Sequence, residues 1–209
     1  LFWRALFFSL TLIIFLFVNY RKDTFLIIKK SGFAALLAGL LMSTSFVAYI
    51  VAMTETSVAN VVFIISTQTM FLALFGYLFL KEKISFKTFI SIILAMIGIV
   101  IMIGDSFSKG SLFGDLIALL IPINFAALIL IIRKYPSIDL GPSLLYSGLL
   151  GCLYGFLASK SIIISMHDLY IAFLLGTFQH SFGFIAVTIG ARTTPAVVVG
   201  ILMLTETLF

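Results

Sequence analysis

Four consecutive polar residues, Ser66-Thr67-Gln68-Thr69, interrupt the apolar stretch from Val58 to Leu80. Asn124, His180 and Glu206 sit in similar surroundings, inside the runs Leu112–Ile132, Leu169–Ile189 and Pro195–Phe209. A helix rises about 1.5 Å per residue, which puts Thr67, Gln68 and Thr69 roughly 15 Å below the turn that opens their span, near the middle of a ~30 Å hydrocarbon layer. His180 and Glu206 each lie about eleven residues into their spans and reach a similar depth. Hydrocarbon cannot satisfy such groups, so they face other helices or a water-filled cavity.

The residue types suggest binding. Asn60, Thr67 and Gln68 are spaced i, i+7, i+8 and share one helical face. Amides and hydroxyls on one face can hydrogen-bond a small polar substrate. The alternative is interhelical bonding, worth about 0.6 kcal/mol per contact. Glu206 either holds a substrate amine, carries a proton, or packs as a neutral, hydrogen-bonded group. His180, flanked by Gln179 and Ser181, is a candidate partner for it. Asn124 follows Pro122, which frees a backbone carbonyl and bends its span. The candidate substrate-binding set is therefore Asn60, Thr67, Gln68, Thr69, Asn124, His180 and Glu206. The other acidic residues are placed at span ends, with Glu55, Asp105, Asp115 and Asp168 on the outer side. Arg4, near the outer end of its span, can reach the headgroups.

An intramembrane enzyme with His180 and Glu206 as acid and base is one alternative. The chain offers it no nucleophile motif, no HExxH pair and no second acidic residue within the spans. A non-transporting membrane scaffold is another. No dinucleotide or P-loop glycine pattern occurs, so no cofactor is expected. Cys152 is the one cysteine, which leaves no intrachain disulfide and no cysteine metal site.

The elements that carry these residues are set by composition. The chain of 209 residues is 62% hydrophobic and 10% charged, and its mean hydropathy is +1.27. A soluble domain carries about 25% charged residues, so the lipid bilayer is the expected surrounding. Apolar runs cover Phe2–Val18, Phe33–Met53, Val58–Leu80, Phe86–Ile103, Leu112–Ile132, Leu140–Leu157, Leu169–Ile189 and Pro195–Phe209, about eight spans of bilayer length. The chain opens and closes inside apolar runs and reads as a fragment.

The net charge of +5 is not a nucleic-acid signal, because the basic residues fall in short connections. Arg21, Lys22, Lys29, Lys30, Lys81, Lys83, Lys87, Arg133, Lys134 and Arg192 fall on one side, and Arg4, Lys109 and Lys160 on the other. That asymmetry places the first group in the cytoplasm. The turn at Thr56-Ser57-Val58-Ala59 then faces outward and the turn at Thr193-Thr194-Pro195-Ala196 faces inward. Each leads into a span with a polar triplet about three turns in, Thr67-Gln68-Thr69 and Thr205-Glu206-Thr207. Repetition on opposite faces is the trace of an inverted repeat. Gly176, Gly183 and Gly190 recur every seven residues, and Gly151 with Gly155 forms a GxxxG pair. Both patterns suggest close-packing surfaces, for sliding, static packing or a homodimer seam.

The stretch TSVANVVFIISTQTMFLALFGYLFLKEKIS, the helix AMIGIVIMIG, the span GDLIALLIPINFAALILIIRK and the opening FWRA together resemble the EamA type of the drug/metabolite transporter superfamily. The resemblance covers essentially the whole chain. It implies an all-α polytopic membrane helix bundle of two inverted five-helix repeats, of which this chain holds about eight helices in ten. The first repeat would span residues 1–105 and the second 112–209. The family usually has Pro where this chain has Thr69 and Thr207. The implied function is secondary transport, export of small metabolites, amino acids or drugs, by alternating access in the bacterial inner membrane. The expected partners are a small-molecule substrate and lipid, with no nucleic acid.

Overall fold

A computed structural model describes residues 1–83, 85–109, 111–136, 138–159 and 162–204. Every regular element among the described residues is helical. In chain order these are α1 (Phe2–Tyr20), a 3-10 turn (Arg21–Asp23), α2 (Thr24–Glu55), α3 (Val58–Ser66), α4 (Gln68–Leu80), α5 (Phe86–Lys109), α6 (Leu112–Lys134), α7 (Gly141–Ala158), α8 (Met166–Leu174), a π turn (Leu175–His180), α9 (Ser181–Gly190) and α10 (Ala196–Leu204). Among the described residues, five helical stretches are long and apolar enough to cross a membrane: Phe2–Glu55, Val58–Leu80, Leu112–Lys134, Gly141–Ala158 and Met166–Gly190. The 23 residues of α6 rise about 34 Å, enough for the hydrocarbon layer.

The basic connection after α1 is itself helical. Within α2, Gly32 takes φ 51° and ψ −145°, a conformation open in practice only to glycine, and it divides Thr24–Ser31 from the apolar body of the helix. A side chain at Gly32 would meet nothing within 4 Å, so any penalty there is backbone strain alone. Gly32→Ala is expected to destabilise the protein by about 1–3 kcal/mol, read as a lower thermal midpoint. An unchanged midpoint would mean that the kink is not required.

The chain folds into two compact units. One comprises Leu1–Val47 with Tyr135–Arg192, the other Ala48–Lys134 with Thr193–Phe209. Each draws helices from both halves of the sequence.

In the first unit α7 lies against α1 along small residues. A Cβ on Gly148 would stand 2.4 Å from Ser9 Oγ, one on Gly151 3.3 Å from Ala5 Cβ, and one on Gly155 2.6 Å from the Phe2 backbone nitrogen. The GxxxG pair thus packs against a helix of its own chain. Gly39 brings α2 equally close to Tyr146 and Ser143 of α7. Without a hydrophobic effect between helices in lipid, such approaches supply the van der Waals contact that holds them.

The heptad of glycines does not form one surface. Gly176 is pressed onto α1, 2.5 Å from the Arg4 carbonyl oxygen at its would-be Cβ, whereas Gly183 and Gly190 have nothing within 4 Å. The reason is the π turn at Leu175–His180. Its i→i+5 bonding takes in one extra residue and rotates everything after it away from the stripe that a regular helix would keep. Ser181 Oγ donates to the Gly176 carbonyl at 2.9 Å, five residues back, and closes that wider turn.

At the end of this unit Asp139 gathers three donors: the Tyr20 hydroxyl, the Gly141 N–H at 2.8 Å and Arg192 Nη2 at 2.7 Å. Burial alone would raise its pKa. The hydrogen bonds from Tyr20 and Gly141 and the Arg192 charge outweigh burial and hold the carboxyl below the ordinary value. The stability this gives is present above the unfolded carboxyl's pKa and is lost as pH falls through the lower folded one.

In the second unit α4 meets α6 and α10, and α3 meets α6. Ala52, Val61, Ile64 and Ala118 form one buried cluster, and Met70, Ala73 and Ile92 another. Glu82 pairs with Arg133 from the last turn of α6 and not with its neighbour Lys81. Lys81 instead adopts a left-handed conformation, φ 55°, that ends α4. The Glu82 N–H then bonds the Gly76 carbonyl at 3.0 Å. The Glu82 carboxylate folds back to within 2.9 Å of where a Gly76 side chain would start.

Candidate functional site

In the second unit the span Val58–Leu80 is not one continuous helix. Ser57 caps α3 by accepting the Asn60 N–H at 3.1 Å, and α3 runs only to Ser66. There the hydroxyls of Ser66 and Thr67 turn back onto the chain, to the Phe63 carbonyl at 2.6 Å and the Ile64 carbonyl at 2.6 Å. The Thr67 N–H bonds the Ile64 carbonyl at 3.1 Å, a tighter i−3 pairing, before α4 begins at Gln68. Hydroxyls that bond preceding carbonyls bend helices. The polar patch is therefore also the place where the span breaks.

Gln68 opens α4 with 5% of its surface exposed. Thr69 donates to the Gly200 carbonyl of α10 at 3.1 Å. The contact is close, because a Cβ on Gly200 would stand 2.9 Å from Thr69 Cα. Thr67 is buried, while Asn124 is half-buried in α6 beyond the buried Pro122.

The Asn60 amide, in the first turn of α3, lies 3.3 Å from both carboxylate oxygens of Asp115 and 3.2 Å from Thr56 Oγ1. Thr56 in turn donates to Asp115 Oδ1 at 2.6 Å. Asp115 is completely buried, although its place near the start of α6 suggests an exposed span end. Sequence reasoning misses it for that reason. The available signal was Gly114 beside it: a Cβ there would be 2.7 Å from the Glu55 carbonyl carbon and 2.8 Å from the Thr56 nitrogen, so the glycine lets the α2–α3 turn close over the carboxylate.

In the first unit His180 ends the π turn. The rings of Phe46, Phe184 and Phe8 surround it, with centroids 5.3, 5.8 and 6.1 Å away. Its Nδ1 is buried and has no hydrogen-bond partner among the described residues. A cavity of about 10 Å³, lined by Leu1, Arg4, Ala5, Phe8, Phe46 and His180, adjoins it, room for about one water-sized sphere. The aromatic collar was not expected. Glu206, with Thr205 and Thr207, lies outside the described residues.

Among the described residues no group of His, Cys, Asp and Glu is arranged to hold a metal. Residues 1–104 match the EamA-like transporter family. No curated protein and no solved structure matches the chain.

Proposed function

Residues 1–104 belong to the EamA-like transporter family, within the drug/metabolite transporter superfamily, and on that premise we propose that this integral membrane protein is a secondary transporter that exports small metabolites, amino acids or drugs. The single observation that carries the reading to particular residues is the break between α3 and α4 at Thr67, with the buried Thr67 and Gln68 side by side there. Discontinuous helices with polar groups near the midplane are where secondary transporters bind substrate. On this reading the candidate substrate-binding residues are Asn60, Thr67, Gln68, Thr69, Asn124, His180 and Glu206, each tested by its own variant. The two sequence halves, 1–105 and 112–209, are inverted repeats of about eight spans in all. Two compact units that each draw on both halves fit such intertwined repeats. The Lys81, Arg133 and Arg192 ends face the cytoplasm, and the membrane is the bacterial plasma membrane.

Gln68→Leu separates binding from packing. An apolar side chain of similar size at this buried position is expected to leave the fold intact. Losing a substrate hydrogen bond lowers transport about tenfold. The measurement is efflux of labelled amino acids and small amines from proteoliposomes, beside the thermal midpoint of the same preparation. A Gln68→Leu protein that moves every substrate at the wild-type rate removes Gln68 from the site. A wild-type protein that moves none of the panel removes the transporter reading.

A further inference from the structure

We propose that the basic connection between α1 and the apolar body of α2 is a binding surface for anionic phospholipid, whose headgroup phosphate meets Lys22, Lys29 and Lys30 while Phe25 and Leu26 reach the acyl chains. The proposal rests on the chain being a membrane protein and not on its transporting a substrate.

The backbone sets this connection at the membrane boundary. The 19 residues of α1 rise about 28 Å, close to the thickness of the hydrocarbon layer, so Arg21 comes at its edge. There the chain turns. Arg21 takes φ 48°, and the Thr24 hydroxyl donates to the Arg21 carbonyl at 2.8 Å. The helical segment Thr24–Ser31 follows, and the left-handed Gly32 ends it. The segment is thus held between two bends and continues neither span. Its two faces differ. Thr24 and Ser31, spaced i, i+7, are both buried, with the half-buried Ile27 and Ile28 between them. Leu26, Lys29 and Lys30, spaced i, i+3, i+4, lie on the other side, with Lys22 one turn earlier, and all four are exposed. Phe25 beside them is 74% exposed, and Phe33, just past the kink, 76%.

Two observations identify what covers this face. The first is charge: between Arg21 and Gly32 the sequence holds Arg21, Lys22, Lys29 and Lys30 against the single acid Asp23. The second is continuity with the lipid-facing side of α1. The Phe25 ring stands edge-on to Phe17 of α1 with centroids 6.1 Å apart, and Phe17 and its neighbour Val18 are themselves exposed. The apolar outer surface of the span therefore runs directly onto a face that carries the positive charges. Bulk water suits the ammonium groups and not the phenyl rings, and hydrocarbon suits the rings and not the charges. The boundary of an anionic leaflet accepts both. Apolar side chains sink to the acyl level, lysine stems lie along them, and the ammonium heads reach the phosphates.

The test uses the purified chain in mixed micelles, with phosphatidylglycerol titrated against phosphatidylcholine and the bound lipid counted by native mass spectrometry. Near a membrane surface each basic residue is worth roughly a fivefold gain in partition to anionic lipid. Phosphatidylglycerol is therefore expected to bind saturably and at least about tenfold tighter than phosphatidylcholine. Lys29→Gln combined with Lys30→Gln should weaken phosphatidylglycerol binding about twentyfold, with phosphatidylcholine binding and the thermal midpoint in phosphatidylcholine unchanged. Phe25→Gln removes no charge and is expected to weaken the binding of both lipids, and it decides the matter if the lysine variant does not fold. Lys81→Gln combined with Lys83→Gln takes the same charge from the connection after α4 and should lose far less. An equal loss in that control would mean that net charge and not this face attracts the lipid, and it overturns the proposal. So do equal affinities for the two lipids, and lysine or Phe25 variants that bind like wild type. Displacement of the lipid by inorganic phosphate would make the site one for the free anion and overturns it as well.

Discussion

Gly176→Leu is expected to cost about 3 kcal/mol or more and to unfold the first unit well below the wild-type temperature. A Cβ at Gly176 would meet the Arg4 carbonyl oxygen at 2.5 Å, Phe7 Cβ at 3.0 Å and the Phe8 nitrogen at 3.1 Å. Two of these are backbone atoms inside α1 and cannot swing aside as a side-chain tip can. The same substitution at Gly183, where nothing lies within 4 Å, is the control and should be nearly silent. Cys152, half-buried with its sulfur 3.9 Å from Ser9 Oγ on α1, offers the readout. Its thiol reacts with a fluorogenic maleimide when α1 and α7 part. Equal midpoints for the two leucine variants would show that α1 does not approach the π turn in the membrane protein as purified.

Arg133→Met should cost about 2 kcal/mol, and Glu82→Gln a similar amount. Removing one member of a fully buried pair costs roughly 3–5 kcal/mol. Side-chain exposures of 21% and 18% admit enough water to reduce that figure. The double variant should recover much of the loss, because no lone charge is then left in the low-dielectric ends of α4 and α6. Midpoints that fall by the sum of the two single effects would show that Glu82 and Arg133 act independently.

The helices themselves were legible, because in lipid every backbone polar group must be bonded within its own segment and the apolar runs can be nothing else. The break at Thr67 was visible only as a polar patch. Its form depends on Ser66 and Thr67 bonding backward to their own helix, which residue types permit but do not require. Two readings that relied on spacing or position changed for identifiable reasons. The seven-residue glycine stripe assumes an uninterrupted α-helix, and the π turn breaks it. The pairing of Glu82 with Arg133 across two helices, set by the left-handed backbone at Lys81, has no local signal. Asp115 was placed by its distance from the end of a run, whereas its burial is decided by a loop far away in sequence. The collar of Phe8, Phe46 and Phe184 around His180 joins residues from three helices, and no local pattern announces it.

The π turn also bears on how this sequence tolerates changes of length. A helix one residue too long for its register stores the surplus as a bulge, so Leu175–His180 behaves as a reserve of one amino acid. Loss of a single codon there can be absorbed by tightening to ordinary helical winding, at the cost of the bond between Ser181 and Gly176. Loss of a codon in α7, which has no such slack, would turn Gly148, Gly151 or Gly155 off α1. Length variation among related genes should therefore concentrate in the first segment and spare the second.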